Sequence, residues 1–253
     1  MSHVALICGI ANERSLATAI ARSLATDGWT LVATWQDERT RGRVEKVMAG
    51  IQPDALTCHL DVTDADTVTA ALAAASDRHG RIDGLVHAIA FGRLQDDAGG
   101  VLRVIDADRE RYAEALEISA RSLLSLCQAC EPHFSSDAAV VALTYLGARR
   151  AVDGYNLMGV AKAALEAEVR YLAAELGPAG VRVNAVSAGP VRTLAASGVP
   201  GFKERLDHHA TITPLRRNIS AKEVANAATF LLSPAASGIT GQILHVDAGY
   251  SVL

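Results

Sequence analysis

Apolar residues along this chain gather into short, near-continuous runs, separated by stretches in which they recur every three or four positions. The runs at 4–8, 30–34, 55–62, 84–89, 139–144, 182–187 and 243–246 have strand length. Between the first two, Leu16, Ile20 and Leu24 repeat at helical spacing, and Gly28 follows where a helix stop falls. Within 64–78 the repeat is Val68, Ala71, Leu72 and Ala75. Longer helices are predicted over 109–131, ending before Pro132, and over 155–176, ending at Gly177-Pro178. Hydrophobic strands alternating with helices imply a parallel sheet covered on both faces. Right-handed crossovers then restrict the topology. The expectation is an α/β chain: a single Rossmann-like doubly wound domain over 1–253, with a seven-stranded parallel sheet and no linker or internal repeat.

Two segments break the rhythm. Residues 92–108 follow the fourth run and contain Gly99-Gly100; residues 190–214 follow the sixth and contain Gly198, Pro200, Gly201 and His208-His209. Loops beyond about 12–15 residues in a compact domain are usually functional or disordered. Both leave carboxyl ends of strands, where open α/β sheets bind ligands, so both are expected to cover a site. His208 and His209 are read as surface residues of that cover, not as catalysts.

Composition acts mainly by exclusion. A formal charge of −4 without a basic run argues against nucleic acid or an anionic membrane as partner. No stretch approaches the roughly 20 apolar residues of a membrane span, and the opening Met1-Ser2-His3-Val4 lacks the features of a secretory leader. Cys8 and Cys58 fall in strands, Cys127 and Cys130 in a helix. Without a second Cys pair or a His at ligand spacing they read as buried thiols, so no metal site is expected and the setting is cytoplasmic.

The first strand–turn–helix unit supplies Gly9 for a tight turn and Ser15 to cap the helix, although G-x-G-x-x-G is absent. Such a turn presents backbone N–H groups to a pyrophosphate. The second strand ends Trp35-Gln36-Asp37-Glu38, beside the adenosine ribose in a dinucleotide site. Gln36 suits a 2′-hydroxyl and the two acids disfavour a 2′-phosphate, so NADH is preferred, while Arg39, Arg41 and Arg43 leave NADPH open. Asp61-Val62 either borders the adenine or supplies a cap to the next helix. Tyr155 and Lys162 are seven residues apart, which on one helix puts them on one face, about 10 Å apart along the axis. The lysine could hold a ribose and favour phenolate character in nearby tyrosines. A tyrosine hydroxyl could stabilise charge on a carbonyl oxygen. Tyr145 could reach the same pocket from the end of the fifth strand.

The run 144–149 (Thr-Tyr-Leu-Gly-Ala-Arg), Gly154-Tyr155 through Lys162, and 180–198 closely resemble the enoyl-acyl carrier protein reductases of bacterial fatty acid synthesis, within the short-chain dehydrogenase/reductase superfamily. So do Gln36 with Gly42-Arg43-Val44, 83–87 and 245–249, in the same order along nearly the whole chain. Tyr-x6-Lys distinguishes this group from the Tyr-x3-Lys of ordinary short-chain dehydrogenases. The resemblance implies hydride transfer from NADH to the β-carbon of a trans-2-enoyl thioester, with Tyr155 stabilising the enolate, Lys162 binding the ribose and Tyr145 contacting substrate. It implies a cofactor shell of Gly9, Ile10, Ser15, Leu16, Gln36, Asp61, Val62, Ile89, Lys162, Val191, Arg192, Thr193, Leu194 and Ala195. Gly92, Tyr145, Tyr155 and Phe202 would contact substrate, with a lid over about 191–214. An acyl carrier protein-linked substrate and a homotetramer follow from the same likeness.

Ala88 and Ala90 stand where the family commonly has serine and glycine, and the 93–108 segment diverges, with Asp96-Asp97 and Gly99-Gly100. Acyl length, and binding of the family's usual inhibitors, are therefore left open by the sequence. Two alternatives accompany the main reading: a reductase of the same fold acting on another enone, enoyl thioester or ketone, and a non-catalytic dinucleotide sensor.

Overall fold

The computed structural model describes residues 2–191 and 202–253. Its seven strands are β1 Val4–Cys8, β2 Thr30–Trp35, β3 Leu56–His59, β4 Ile82–His87, β5 Phe134–Thr144, β6 Arg182–Ala188 and β7 Ile243–Val246. They form one sheet in the order β3-β2-β1-β4-β5-β6-β7, and every pairing is parallel. Helices α1 Leu16–Thr26, α2 Glu38–Ala49, α3 Ala65–His79, α4 Arg109–Leu116, α5 Ser122–Cys130, α6 Asn156–Leu176, α7 Phe202–Ile212 and α8 Ala221–Leu232 connect or flank them.

Because both faces of a parallel sheet are covered, strand side chains pointing either way are mostly apolar, and a polar one is costly unless hydrogen-bonded. All five residues of β1 and all seven of β6 are buried. On one face the strands pack against α3, α5 and α6, through residues such as Leu72, Leu126 and Leu165. On the other they meet α1, α2 and α8, through Ile20, Val47 and Leu231. Ser15, Asp37, Asp64, Asp108 and Ser220 accept hydrogen bonds from first-turn backbone N–H groups and so start α1, α2, α3, α4 and α8.

Several boundaries differ from the sequence expectation. β3 stops at His59, three residues early, because the chain turns there: Asp61 N donates to Thr67 Oγ1, and the Asp61 carboxylate accepts from the backbone and hydroxyl of Thr63. The cap of α3 is therefore Asp64, not Asp61. β5 begins five residues earlier than its apolar run, at Phe134. The helix expected over 109–131 is divided, with a π turn at Glu117–Arg121 between α4 and α5. Arg182 is buried and donates to Leu231 O and Ile239 O at 2.8 and 3.3 Å, and to Leu232 O and Ser233 O at 3.4 and 3.2 Å, which satisfies carbonyls at the end of α8.

Gly180 enters β6 at φ +85°, and a Cβ there would overlap the carbonyl of Ser136. Gly180→Ala is expected to lower stability by at least about 2 kcal/mol in urea unfolding; a wild-type midpoint would show that the two backbones can separate freely.

Candidate active site

The strand order reverses where β1 lies between β2 and β4, which opens a crevice at their carboxyl ends. Gly9 leaves β1 at φ +107°, and a Cβ there would collide with Ala88 O, so only glycine admits this approach to the chain leaving β4. Ala88 N donates to Cys8 O at 3.0 Å, closing the two strand ends together. The turn is then fixed around Asn12, whose carbonyl accepts from Ser15 N, Ser15 Oγ and Thr18 Oγ1. Ile10 is buried and Leu16 half-buried, both against the core. The first turn of α1 carries no acidic side chain, so its N-terminal dipole is free to meet an anion.

At the end of β2, Gln36 is exposed and its carbonyl accepts from His59 Nε2 at 2.9 Å. Asp37 caps α2 and pairs with Arg39 at 2.6 Å, which holds its carboxyl below the usual carboxylate range. Arg41 lies over the Trp35 ring and pairs with Glu45 at 2.8 Å. Two of the three arginines that left NADPH open are thus matched by carboxylates of their own helix. Asp61 and Val62 are half-buried past the end of β3.

Lys162 is the centre of the site. It is 4% exposed, and Nζ donates to Leu143 O at 2.9 Å and Ile89 O at 3.2 Å, bridging the ends of β5 and β4 with one N–H left over. Burial pulls the ammonium down to about 8, against the opposing charges of Glu166 and Glu168. Tyr155 does not lie within the helix as its spacing suggested. It precedes α6 as the cap residue, between Gly154 at φ +73° and Asn156 at φ +40°. Asn156 Nδ2 donates to Leu102 O, which ties this strained turn to the 92–108 segment. The Tyr145 and Tyr155 rings meet edge to face, 4.8 Å between centroids. Burial and Tyr145 push the Tyr155 phenol up, so it is a neutral donor and not the phenolate that Lys162 alone would favour. The ring rests on Gly147, where a Cβ would overlap Tyr155 Cδ1.

The wall from 87 to 92 is held at successive points. His87 is fully buried; Ser122 Oγ donates to Ile118 O and accepts from His87 Nε2 at 2.7 Å. Burial and Lys162 drive this imidazole down to about 3, so it is neutral. Ser119, in the π turn, accepts from Phe91 N and donates to Phe91 O, both at 2.8 Å. A Cβ on Gly92 would lie 2.8 Å from Met158 Sδ. Ser119, Ser122 and Met158 were not singled out in the sequence, where they read as ordinary helix positions.

Val191 is half-buried at the end of the first described stretch. Arg192, Thr193, Leu194 and Ala195 lie outside the described residues, as does the side chain of Phe202 at the start of α7. His208 is exposed, but His209 is buried against the Tyr250 ring, 4.2 Å between centroids, which corrects its reading as a surface residue. All four cysteines are buried and unpaired, and no metal-binding cluster occurs among the described residues. Nor is any described helix long and apolar enough to cross a membrane.

A doubly wound sheet, a glycine turn at its switch point and a Tyr-x6-Lys pair whose lysine bridges the ends of β4 and β5 define a nicotinamide dinucleotide-dependent oxidoreductase of the short-chain type. The comparisons narrow this class. Residues 9–251 match the family described as enoyl-(acyl carrier protein) reductase. The NADH-named enoyl-[acyl-carrier-protein] reductase 1 of Rhizobium meliloti is 42% identical over 97% of this chain and 89% of its own. The NADPH-named FabI of Staphylococcus aureus is 42% identical over 98% and 96%. The crystal structure of the Bacillus cereus enoyl-acyl carrier protein reductase with NADP+ and indole naphthyridinone superposes with a TM-score of 0.94, at 39% identity, over 100% of this chain and 99% of that one. The chain belongs to the enoyl-acyl carrier protein reductase family.

Gly147→Ala is expected to displace the Tyr155 ring and to lower turnover by about 10²-fold, with the circular dichroism spectrum and NADH affinity retained. Wild-type turnover in this variant would mean that the ring does not need its glycine seat.

Proposed function

We propose that the protein reduces trans-2-enoyl thioesters borne on acyl carrier protein to their saturated counterparts, using NADH. The observation that carries this reading is a buried cation, Lys162, with one donor unused among the described residues, on a helix preceded by Tyr155, a half-buried phenol kept neutral by desolvation. NADH, when bound, supplies the hydride that reaches the β-carbon. The chain's own part is binding, orientation and charge stabilisation. The 9–15 turn, with Gly9, Ile10, Ser15 and Leu16, would hold the pyrophosphate; Gln36 would hold the adenosine ribose; Asp61 and Val62 would border the adenine. Lys162 would donate to the nicotinamide ribose and Ile89 would flank the nicotinamide, a role the family likeness extends to 191–195. Tyr155 donates its proton in a hydrogen bond to the thioester carbonyl oxygen, and this bond strengthens as enolate charge gathers there. Gly92 and Tyr145 would line the acyl path of the single domain, and the family likeness assigns Phe202 and a lid over 191–214 to the same path.

The preference for NADH rests on the carboxylates that occupy Arg39 and Arg41. A homotetramer is supported by exposed apolar side chains on α4, α5 and α6, namely Tyr112, Leu124 and Tyr171, the last 71% exposed. Four reduced, buried thiols fit a cytoplasmic setting.

The test follows NADH and NADPH oxidation by absorbance with carrier-linked and coenzyme A-linked enoyl substrates. Tyr155→Phe should cut kcat by roughly 10²–10³-fold without unfolding the chain. Lys162→Ala should act chiefly by raising KM for NADH. Full turnover in Tyr155→Phe would remove that tyrosine from the chemistry, and failure of every enoyl substrate would overturn the proposal.

A further inference from the structure

Glu166 lies one helical turn beyond Lys162 on α6 and is 4% exposed. Its Oε1 accepts from Thr144 Oγ1 at 3.0 Å and its Oε2 from Arg149 Nε at 3.1 Å. These two partners bracket a short stretch of chain. Thr144 ends β5 immediately before Tyr145, and Arg149 closes the 3-10 turn Leu146–Ala148 that carries Gly147, the seat of Tyr155. A carboxylate removed from water is costly unless its hydrogen bonds and counter-charge are supplied, and here both come from this stretch. The same charge also reaches Lys162. Of the two acids that favour its protonated form Glu166 acts more strongly than Glu168, whose own carboxyl burial lifts to about 7.

We propose that Glu166 is a positioning residue of this site, which anchors 144–149 beneath the two tyrosines and places its charge one helical turn from the Lys162 ammonium. The inference rests on the NADH-binding reading above. The charged and titratable groups that act on Lys162 are His87 from β4, and Glu166 and Glu168 on α6 itself. Arg149 reaches Glu166 from the turn after β5, and Arg121 in the π turn faces Glu168.

The experiment is equilibrium NADH binding by fluorescence across pH, for the wild-type chain, Glu166→Gln, Glu166→Asp and Arg149→Gln. Burial already depresses the Lys162 ammonium, and its charged form is lost as pH rises through about 8, so wild-type affinity should fall there. Removing the negative charge in Glu166→Gln depresses the ammonium further, and the fall should move about one pH unit lower. Arg149 is half exposed, so the fold is expected to survive its replacement. Arg149→Gln strips Glu166 of its neutralising partner, so the fall should move to higher pH. Glu166→Asp keeps the charge but is a methylene short of its partners; its midpoint should stay with the wild type while kcat drops about tenfold. Opposite shifts from Glu166→Gln and Arg149→Gln are not what a purely structural residue would give. An unchanged midpoint in both variants, or a shift in the same direction, overturns the electrostatic role; wild-type kcat in Glu166→Asp overturns the anchoring. If Glu166→Gln does not fold, the direction of the Arg149→Gln shift decides. Absence of NADH binding by the wild-type chain would instead overturn the functional reading itself.

Discussion

The buried ammonium of Lys162 is the constraint around which this site is arranged. Transferring a cation of that size from water costs several kcal/mol even after relaxation, so the surroundings must return hydrogen bonds and charge. They do so with parts of the sheet itself. The carbonyls of Ile89 and Leu143 turn toward Nζ where β4 and β5 end, and Glu166 adds charge from the next turn of α6. Both carbonyls stand at the carboxyl ends of central strands, Leu143 within β5 and Ile89 just past β4. The cation thus completes the strand ends, and the strand ends fix the cation. Tyr145 follows directly after Thr144, and Tyr155 precedes the helix that carries the lysine, so the position of each tyrosine follows from the same constraint.

A second constraint acts at the opposite lip of the crevice. Gly9 lets β1 approach the backbone of Ala88 more closely than any side chain allows. The chain leaving β4 is consequently held from both sides, by the β1–α1 turn and by α6, while the π turn reaches it from outside. A π turn inserts one extra residue into the helical register and so redirects the side chains that follow it. Here it aims Ser119 at Phe91, while Ser122 reaches His87.

The fold was legible in the sequence because a parallel sheet covered on both faces leaves its strands as uninterrupted apolar runs. All seven runs became strands, in a doubly wound order. The errors have local causes. Leu60 and Val62 are apolar because they pack on the core beyond the end of β3, not because they pair in the sheet. The polar start of β5, Ser135 to Asp137, hid five residues of strand. In 109–131 the buried positions keep nearly helical spacing, so an extra residue in the turn leaves no mark in the pattern. Of the site, Gly9, Ser15, Tyr145, Tyr155 and Lys162 were singled out by residue type and spacing; the structure sets the Tyr145 and Tyr155 rings against each other and Lys162 across the ends of β4 and β5. The residues that hold them were not singled out. Ser119, Ser122 and Glu166 act through hydrogen bonds to Phe91, His87, Thr144 and Arg149, all distant in sequence, and periodicity carries no information about such partners. The neutral state of Tyr155 likewise depends on how deeply it is buried, which spacing does not encode.

The wall from Ala88 to Gly92 is fastened almost entirely through main-chain atoms: Ala88 N, Ile89 O, and the N and O of Phe91. Its path is therefore nearly independent of the side chains it displays, and Ala88 and Ala90 can differ from their relatives without moving it. For medicinal chemistry this separates two properties usually assumed to travel together. Substitutions on such a wall can remodel what a competitive drug touches while the geometry of turnover stays as it was. A compound braced against those side chains meets a surface that single substitutions can change, whereas one shaped to the course of the backbone meets a path fixed by hydrogen bonds already made.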